Sequence, residues 1–216
     1  MAQSYPSNLL PEIQVDTNLV SHKRAACAVN GLAAIAQHAM TEATVPELLV
    51  AMLDASAATG QTIGGSIHSG KLDRETLYSV ADRVLSAGDR ALLDEVMRLV
   101  DASEGARDLL VHGVWGVDEK FADSIVILAS DQLWRSSLKI RILNAKGGPE
   151  LHEAEALQIA MRESCSIWTN EDLQQARLQG VRSFTGLIAF KSLIEAESEA
   201  ERAEHRTTIA NLLAQR

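Results

Sequence analysis

Four things are scarce in this chain, and each scarcity removes a class of protein. Aromatic residues make up only 4% of the 216 residues. That is thin for the side-chain pairs of a β-sandwich, whereas Ala and Leu recur throughout and favour packed helices. Cysteine occurs twice, at Cys27 and Cys165, with no Cys-x2-Cys spacing. This argues against a disulfide framework or a zinc knuckle and fits a reducing cytoplasm. Positive charge is short: 20 Lys and Arg against 29 Asp and Glu leave a net charge of −9. Duplex DNA demands concentrated Lys and Arg, so a DNA-coating surface is disfavoured, although an acidic body can still carry a local basic pocket. Long apolar runs are missing as well. Leu32–Met40 is interrupted by Gln37 and His38, far short of a membrane span. The opening MAQSYPSNLLPEIQ shows neither the charged nor the apolar region of a signal peptide. A cytoplasmic protein away from membranes is expected.

What is present is core-forming material. Hydrophobic residues reach 46%, which opposes disorder outside the ends, and one domain is the default at this length. Residues 1–14, with Pro6 and Pro11, read as a flexible arm. Residues 15–195 read as a helical domain, and 196–216 as a charged helical extension of it. A first helix spans Val15–Met40, starting near Asp16 or Thr17. Thr44-Val45-Pro46-Glu47 forms a capping box that opens a second, and a third follows Asp73 over Arg74–Ser86. The fourth runs from about Arg90 to His112, with Leu92, Val96, Leu99, Val100, Ala106, Leu109 and Leu110 on its apolar face. Gly113 supplies the left-handed residue that ends it.

The period then changes. Ser124–Ala129 (SIVILA) and Leu133–Leu143 (LWRSSLKIRIL) are short and β-branched, and in the second Trp134, Leu138, Ile140 and Ile142 alternate against Arg135, Lys139 and Arg141. With Asp131 and Gln132 at the centre of the gap, a β-hairpin over about 124–143 is expected. Trp115, Trp134 and Trp168 would pack it against the helices. Arg135, Lys139 and Arg141 would form a strip, read either as a substrate-binding phosphate track or as an ordinary solvated face. Asn144–Glu150 is a loop. Residues 151–168 are helical by composition at first and extended toward Cys165–Trp168, and Thr169-Asn170-Glu171-Asp172 caps a last long helix. The fold class is therefore mainly α: a helical bundle with a small β-hairpin inserted after the fourth helix.

The chemical signal lies in Glu104–Gly116, EGARDLLVHGVWG. Arg107 and His112 are about 140° apart around the helix and about 7.5 Å apart along it, within reach of a long guanidinium. Asp108 stands four residues before His112, so its carboxylate can hydrogen-bond one ring nitrogen and orient the imidazole for proton transfer. A guanidinium suits a phosphate and its pentavalent transition state. Arg, His and an orienting carboxylate are the parts needed for RNA cleavage without metal, in which a 2′-hydroxyl attacks its own phosphodiester. The structural alternative is a His112 that caps a helix end and an Arg107 that pairs with Glu104 on the surface. Gly64-Gly65 lacks a phosphate-loop lysine, and His22, His38, His68, His152 and His205 show no metal-ligand spacing, so neither cofactor nor metal is expected.

Arg-Asp-x3-His-Gly-x-Trp at a helix end resembles the HEPN superfamily, whose motif is Arg-x4–6-His. Ser69, Asp73, Arg74 and Leu77 upstream, and Thr169, Asp172 and Leu173 downstream, are similar in arrangement. The resemblance covers about residues 45–195, with Arg107–Trp115 its specific part. It implies a HEPN-like bundle that forms a homodimer in which two Arg-His pairs line one cleft. It also implies an endoribonuclease of toxin–antitoxin, anti-phage or CRISPR systems, acting on RNA, with an antitoxin or regulatory protein as a further partner. Arg107, Asp108 and His112 would be its catalytic residues. Other members are inactive binding domains, so a silent dimeric module binding a partner protein or a nucleotide is the second expectation. A helical scaffold with a chance motif is the third. Val114 stands where one toxin subgroup has a tyrosine, so regulation by nucleotide transfer to that position is not expected.

Overall fold

A computed structural model describes residues 2–9, 11–53, 74–132, 134, 135, 138 and 153–214. Its elements, in chain order, are β1 (Gln3–Ser4), β2 (Gln14–Val15), α1 (Thr17–Lys23), α2 (Ala25–Met52), α3 (Arg74–Val84), α4 (Ala87–His112), β3 (Gly113–Val117), β4 (Ser124–Ala129), α5 (Glu153–Ser164), β5 (Cys165–Thr169), α6 (Asn170–Glu195) and α7 (Glu199–Ala214). The protein is mainly helical with a small antiparallel sheet. It divides into two units, Met1–Ile35 with Gly105–Arg177 and Ala36–Glu104 with Leu178–Arg216. No helix of the described residues is long and apolar enough to cross a membrane.

The first unit is organised by β4. Its sequence, SIVILA, buries every residue, so both of its faces must be covered, and the period of two divides the labour. Ile125 and Ile127 pack with Val20 of α1, Cys27 and Ala28 of α2, Leu110 of α4, and Leu173 and Ala176 of α6. Val126 and Leu128 point the other way, to Tyr5, Cys165 and Ile167, with Leu9, Ile13 and Phe121 against them. The strand order is β1-β5-β4-β3-β2, antiparallel throughout. Trp115 lies opposite Ile127, and Val126 opposite Ile167.

Two sequence expectations are corrected here. Residues 1–14 are not a free arm over the described stretch, because β1 and β2 close the two edges of the sheet and Tyr5 is buried. The hairpin over about 124–143 is replaced by pairing of β4 with β3 and β5. Ser130, Asp131, Gln132, Trp134, Arg135 and Leu138 are helical instead. The physical reason is that Ser130, Trp134 and Leu138 also fall at i, i+4, i+8, and that Asp131 and Arg135 sit one turn apart, 4.0 Å between charged atoms. The spacing of Ser130, Trp134 and Leu138 fits one face of a helix as well as one face of a strand.

The second unit holds an all-helical core of Leu48, Leu49, Leu77, Leu93, Met97, Leu187, Phe190 and Ile209. The expected helix start at Thr44 is also corrected: α2 continues through Pro46 without a break. Thr44 does not cap; its hydroxyl donates back to the Met40 carbonyl at 2.9 Å, as Thr41 does to Gln37 at 3.0 Å. The first helix of the sequence reading is instead split at Arg24, with Asp16 capping α1 through the Asn18 amide at 2.8 Å. Beyond α6 the chain starts a separately capped helix, since the Glu201 carboxylate accepts from the Glu197 and Ser198 amides. Ile209 of that helix is buried and Arg206 pairs with Asp89. Gly64-Gly65, His68, Ser69, Asp73, Lys139, Arg141, Asn144–Glu150 and His152 lie outside the described residues.

Candidate functional site

The candidate site is the C-terminal end of α4. The helix starts where Ser86 and Asp89 cap each other: the Asp89 amide donates to Ser86 Oγ at 3.2 Å, and that hydroxyl donates to Asp89 Oδ2 at 2.8 Å. Two of its last carbonyls, which have no intrahelical donor, are taken by side chains. Trp115 Nε1 donates to the Leu110 carbonyl at 2.9 Å and Ser130 Oγ to the His112 carbonyl at 3.1 Å. The Trp115 ring in turn packs against α2 at Gly31, where a Cβ would come within 2.5 Å of ring carbon Cη2.

Gly113 ends the helix for a different reason from the one the sequence suggested. It does not take the left-handed conformation, and β3 begins at this residue. A Cβ here would collide with the Ile127 side chain and the Leu109 carbonyl. Glycine is required because the chain turns from helix to strand in contact with both, so close approach decides the residue.

On this fixed end, Arg107 is half-buried, and Asp108 and His112 are exposed. Arg107 Nη1 donates to Asp108 Oδ1 at 2.9 Å. Among the described residues no hydrogen bond or ion pair engages the His112 ring, so the expected Asp108–His112 link is absent in this arrangement. A guanidinium is always charged and outcompetes an imidazole for a neighbouring carboxylate. Asp108 therefore orients the arginine. Arg135 is on the helical segment after β4, with its side chain largely in solvent. The strip of Arg135, Lys139 and Arg141 is not present as a strand face at Arg135.

Other polar groups belong to the scaffold. Asp118, 1% exposed, accepts from the Tyr5 hydroxyl at 2.6 Å and from the amides of Glu12 at 3.1 Å and Lys120 at 3.0 Å. Burial pushes its carboxyl up, but these bonds outweigh burial and hold it below the usual range. The buried His38 ring has Nδ1 3.4 Å from Ser103 Oγ, while that hydroxyl donates to the Val100 carbonyl at 2.8 Å and so is no free nucleophile. Both cysteines are free and buried; burial raises the Cys27 thiol, and burial with the nearby Asp118 raises Cys165 to about 12. Neither is placed for thiolate chemistry. No cluster of His, Cys, Asp and Glu among the described residues is arranged to hold a metal ion. Sequence reasoning missed Ser130 and Trp115 as the groups that hold the helix end; the only local sign was a tryptophan two residues after Gly113. Comparison with protein-family models, with curated proteins and with solved structures finds no match for this chain.

Proposed function

We propose that the end of α4 is the catalytic site of a metal-independent endoribonuclease of the HEPN type, working as a homodimer. The observation that supports this reading is an exposed His112 and a half-buried Arg107 on one helix end whose backbone is secured by other residues. Such a histidine is free to exchange protons with substrate. In the reaction the RNA 2′-hydroxyl attacks the adjacent phosphorus, the bond from phosphorus to the 5′-oxygen breaks, and a 2′,3′-cyclic phosphate and a 5′-hydroxyl result. One His112 takes the 2′-proton and the His112 of a second copy supplies a proton to the leaving oxygen. Arg107 neutralises charge that builds on the phosphoryl oxygens, Asp108 positions its guanidinium, and Arg135 contributes a phosphate contact. The activity suits a toxin or anti-phage effector held in check by an antitoxin.

A second reading has its own observation. Asp108 turned onto Arg107 leaves the imidazole without an orienting carboxylate, as a silent HEPN-like dimer that binds a partner protein or a nucleotide would tolerate. One experiment separates the two. Protein shown by light scattering to be a dimer should cut RNA in excess EDTA and leave cyclic phosphate ends. His112→Ala should lower the rate by about 10²–10⁴-fold with folding and dimer mass unchanged, and Arg107→Ala should also lose rate more than stability. Wild-type protein that leaves RNA intact, or that cuts only with added magnesium, refutes the enzyme reading.

A further inference from the structure

We propose that the outward face of α2, between Ala25 and Ala43, is the surface on which a second copy of this chain docks, helix against helix and antiparallel. It supplies the contact for the homodimer of the endoribonuclease reading, but the observations that carry it are independent of RNA. At about 100° per residue, the residues of this stretch that fall within one arc of about 140° are all apolar: six alanines with Val29, Leu32 and Met40. All but the half-buried Ala33 are exposed, Val29 by 63%, Leu32 by 60% and Met40 by 44%.

A solvated helix face is ordinarily polar, and a helix that is apolar all round belongs to an interior. The inner side of α2 is apolar too, through Cys27, Ala28 and Ala34. Its polar residues lie off the outer arc: Asn30 is bonded to Asn170 Oδ1 at 2.9 Å, Gln37 is half-buried, and His38 and Thr41 are buried. No Asp, Glu, Lys or Arg occurs from Ala25 to Thr41. The strip is contiguous, unlike scattered apolar side chains, and depletion of charge marks the core of protein interfaces. A lipid surface is a poorer match. Helices that lie on membranes are rich in Lys and Arg, and α2 has neither.

The face is complementary to itself when run backwards. About a twofold axis near residue 34, Val29 and Leu32 of one copy lie opposite Ala39 and Ala36 of the other, large side chains over small ones. A parallel pair would set Leu32 on Leu32 and Ala36 on Ala36, crowding one turn and leaving a gap at the next. The antiparallel pair also puts the positive end of each helix beside the negative end of the other, and a twofold contact closes at two copies. With a net charge of −9, two copies repel each other over most of their surface, and this strip carries no carboxylate. A strip about 27 Å long on a helix about 10–12 Å across offers about 400 Å². A pair then buries about 800 Å², the size of a reversible association rather than a permanent one. The dimer forms at micromolar rather than nanomolar concentration.

The test is sedimentation velocity of the full-length protein from about 1 to about 500 μM, the range of such affinities. The mass should rise with concentration from the 23.4 kDa monomer toward twice that value. Leu32→Lys and Ala36→Glu each place a charge on the face at an exposed position. Each should keep the wild-type circular dichroism and lose at least about 100-fold in self-affinity, because an unpaired charge would be buried in the contact. Mixed in equal amounts, the two variants should recover a dimer, since the new lysine of one then stands opposite the new glutamate of the other. Wild type that stays monomeric at the highest concentration overturns the proposal, as do a dimer indifferent to both charges and a mixture that recovers nothing. Failure of the two readings is distinguishable. A dimer that depends on α2 in a protein that never cuts RNA sinks the enzyme and keeps the face. RNA cleavage by a protein whose mass and rate ignore both charges does the reverse.

Discussion

Tyr5→Phe tests how the N-terminal segment is held, because it removes the hydroxyl and keeps the ring. The Tyr5 ring keeps its edge-to-face contact with Phe121, at 5.4 Å between centroids; only the hydroxyl that donates to Asp118 Oδ2 at 2.6 Å is lost. Donor and acceptor are both buried and the acceptor is a carboxylate, so the loss should cost about 1.5–3 kcal/mol. For a chain of this size that corresponds to a fall in Tm of about 3–12 °C. The bond also carries a pH signature. A carboxyl held below its usual range contributes stability that is full above its unfolded value, about 3.9, and is lost as pH falls through the lower folded value. The Tyr5→Phe penalty should therefore be largest near neutrality and shrink in acid. Urea titrations of wild type, Tyr5→Phe, Asp118→Asn and the double variant give the coupling directly, with circular dichroism and tryptophan fluorescence recorded together because two units need not unfold as one. A Tyr5→Phe cost below about 0.5 kcal/mol, set against the buried-bond range, or strict additivity of the two changes, refutes the reasoning.

Two further outcomes follow from other contacts. Gly113→Ala must displace the Ile127 side chain or the Leu109 backbone, so it should destabilise by about 1–3 kcal/mol as an overpacked core does; a neutral effect in denaturant titration would show that the helix-to-strand turn relaxes freely. Asp89 is held low by its bonds from Arg206, at 2.9 and 3.2 Å, with a smaller contribution from Ser86. Its contribution too is present above the unfolded value and lost on acidification, so Tm should drop as pH falls below about 4 and drop less steeply in Asp89→Asn; parallel curves in scanning calorimetry would contradict this.

Local chemistry was readable where it acts over a few residues. The cap of α6 is formed as its residues imply: Thr169 Oγ1 accepts from the Asp172 amide at 3.1 Å while the Asp172 carboxylate takes the Thr169 amide at 3.0 Å. The extent of α4 and the strand nature of SIVILA were equally plain. Strand partners were not, because Val126 finds Ile167 forty-one residues away and no local pattern encodes that choice. β3 was hidden by its own glycines: GVWGV has poor strand propensity, and Gly116 is there because a Cβ would sit 2.6 Å from Ile13 Cγ2. At the site, Arg107 and His112 fall at the helix end as their spacing implies. The choice of Asp108 between them depends on side-chain rotamers, on which i, i+4 spacing is silent.

The two outermost strands of the sheet, each two residues long, come from one stretch of chain before Asp16. That stretch acts as a guard against polymerisation. β3 and β5 each have one ladder edge that would otherwise be open to another molecule, and short polar strands such as Gln3–Ser4 close such edges without offering a long template of their own. Gln3 pairs with Ile167, so without this stretch the apolar β4–β5 pair would have an unprotected flank. Proteolytic removal of the residues before Asp16 would uncover both flanks at once and turn a closed sheet into one that can grow by adding neighbours.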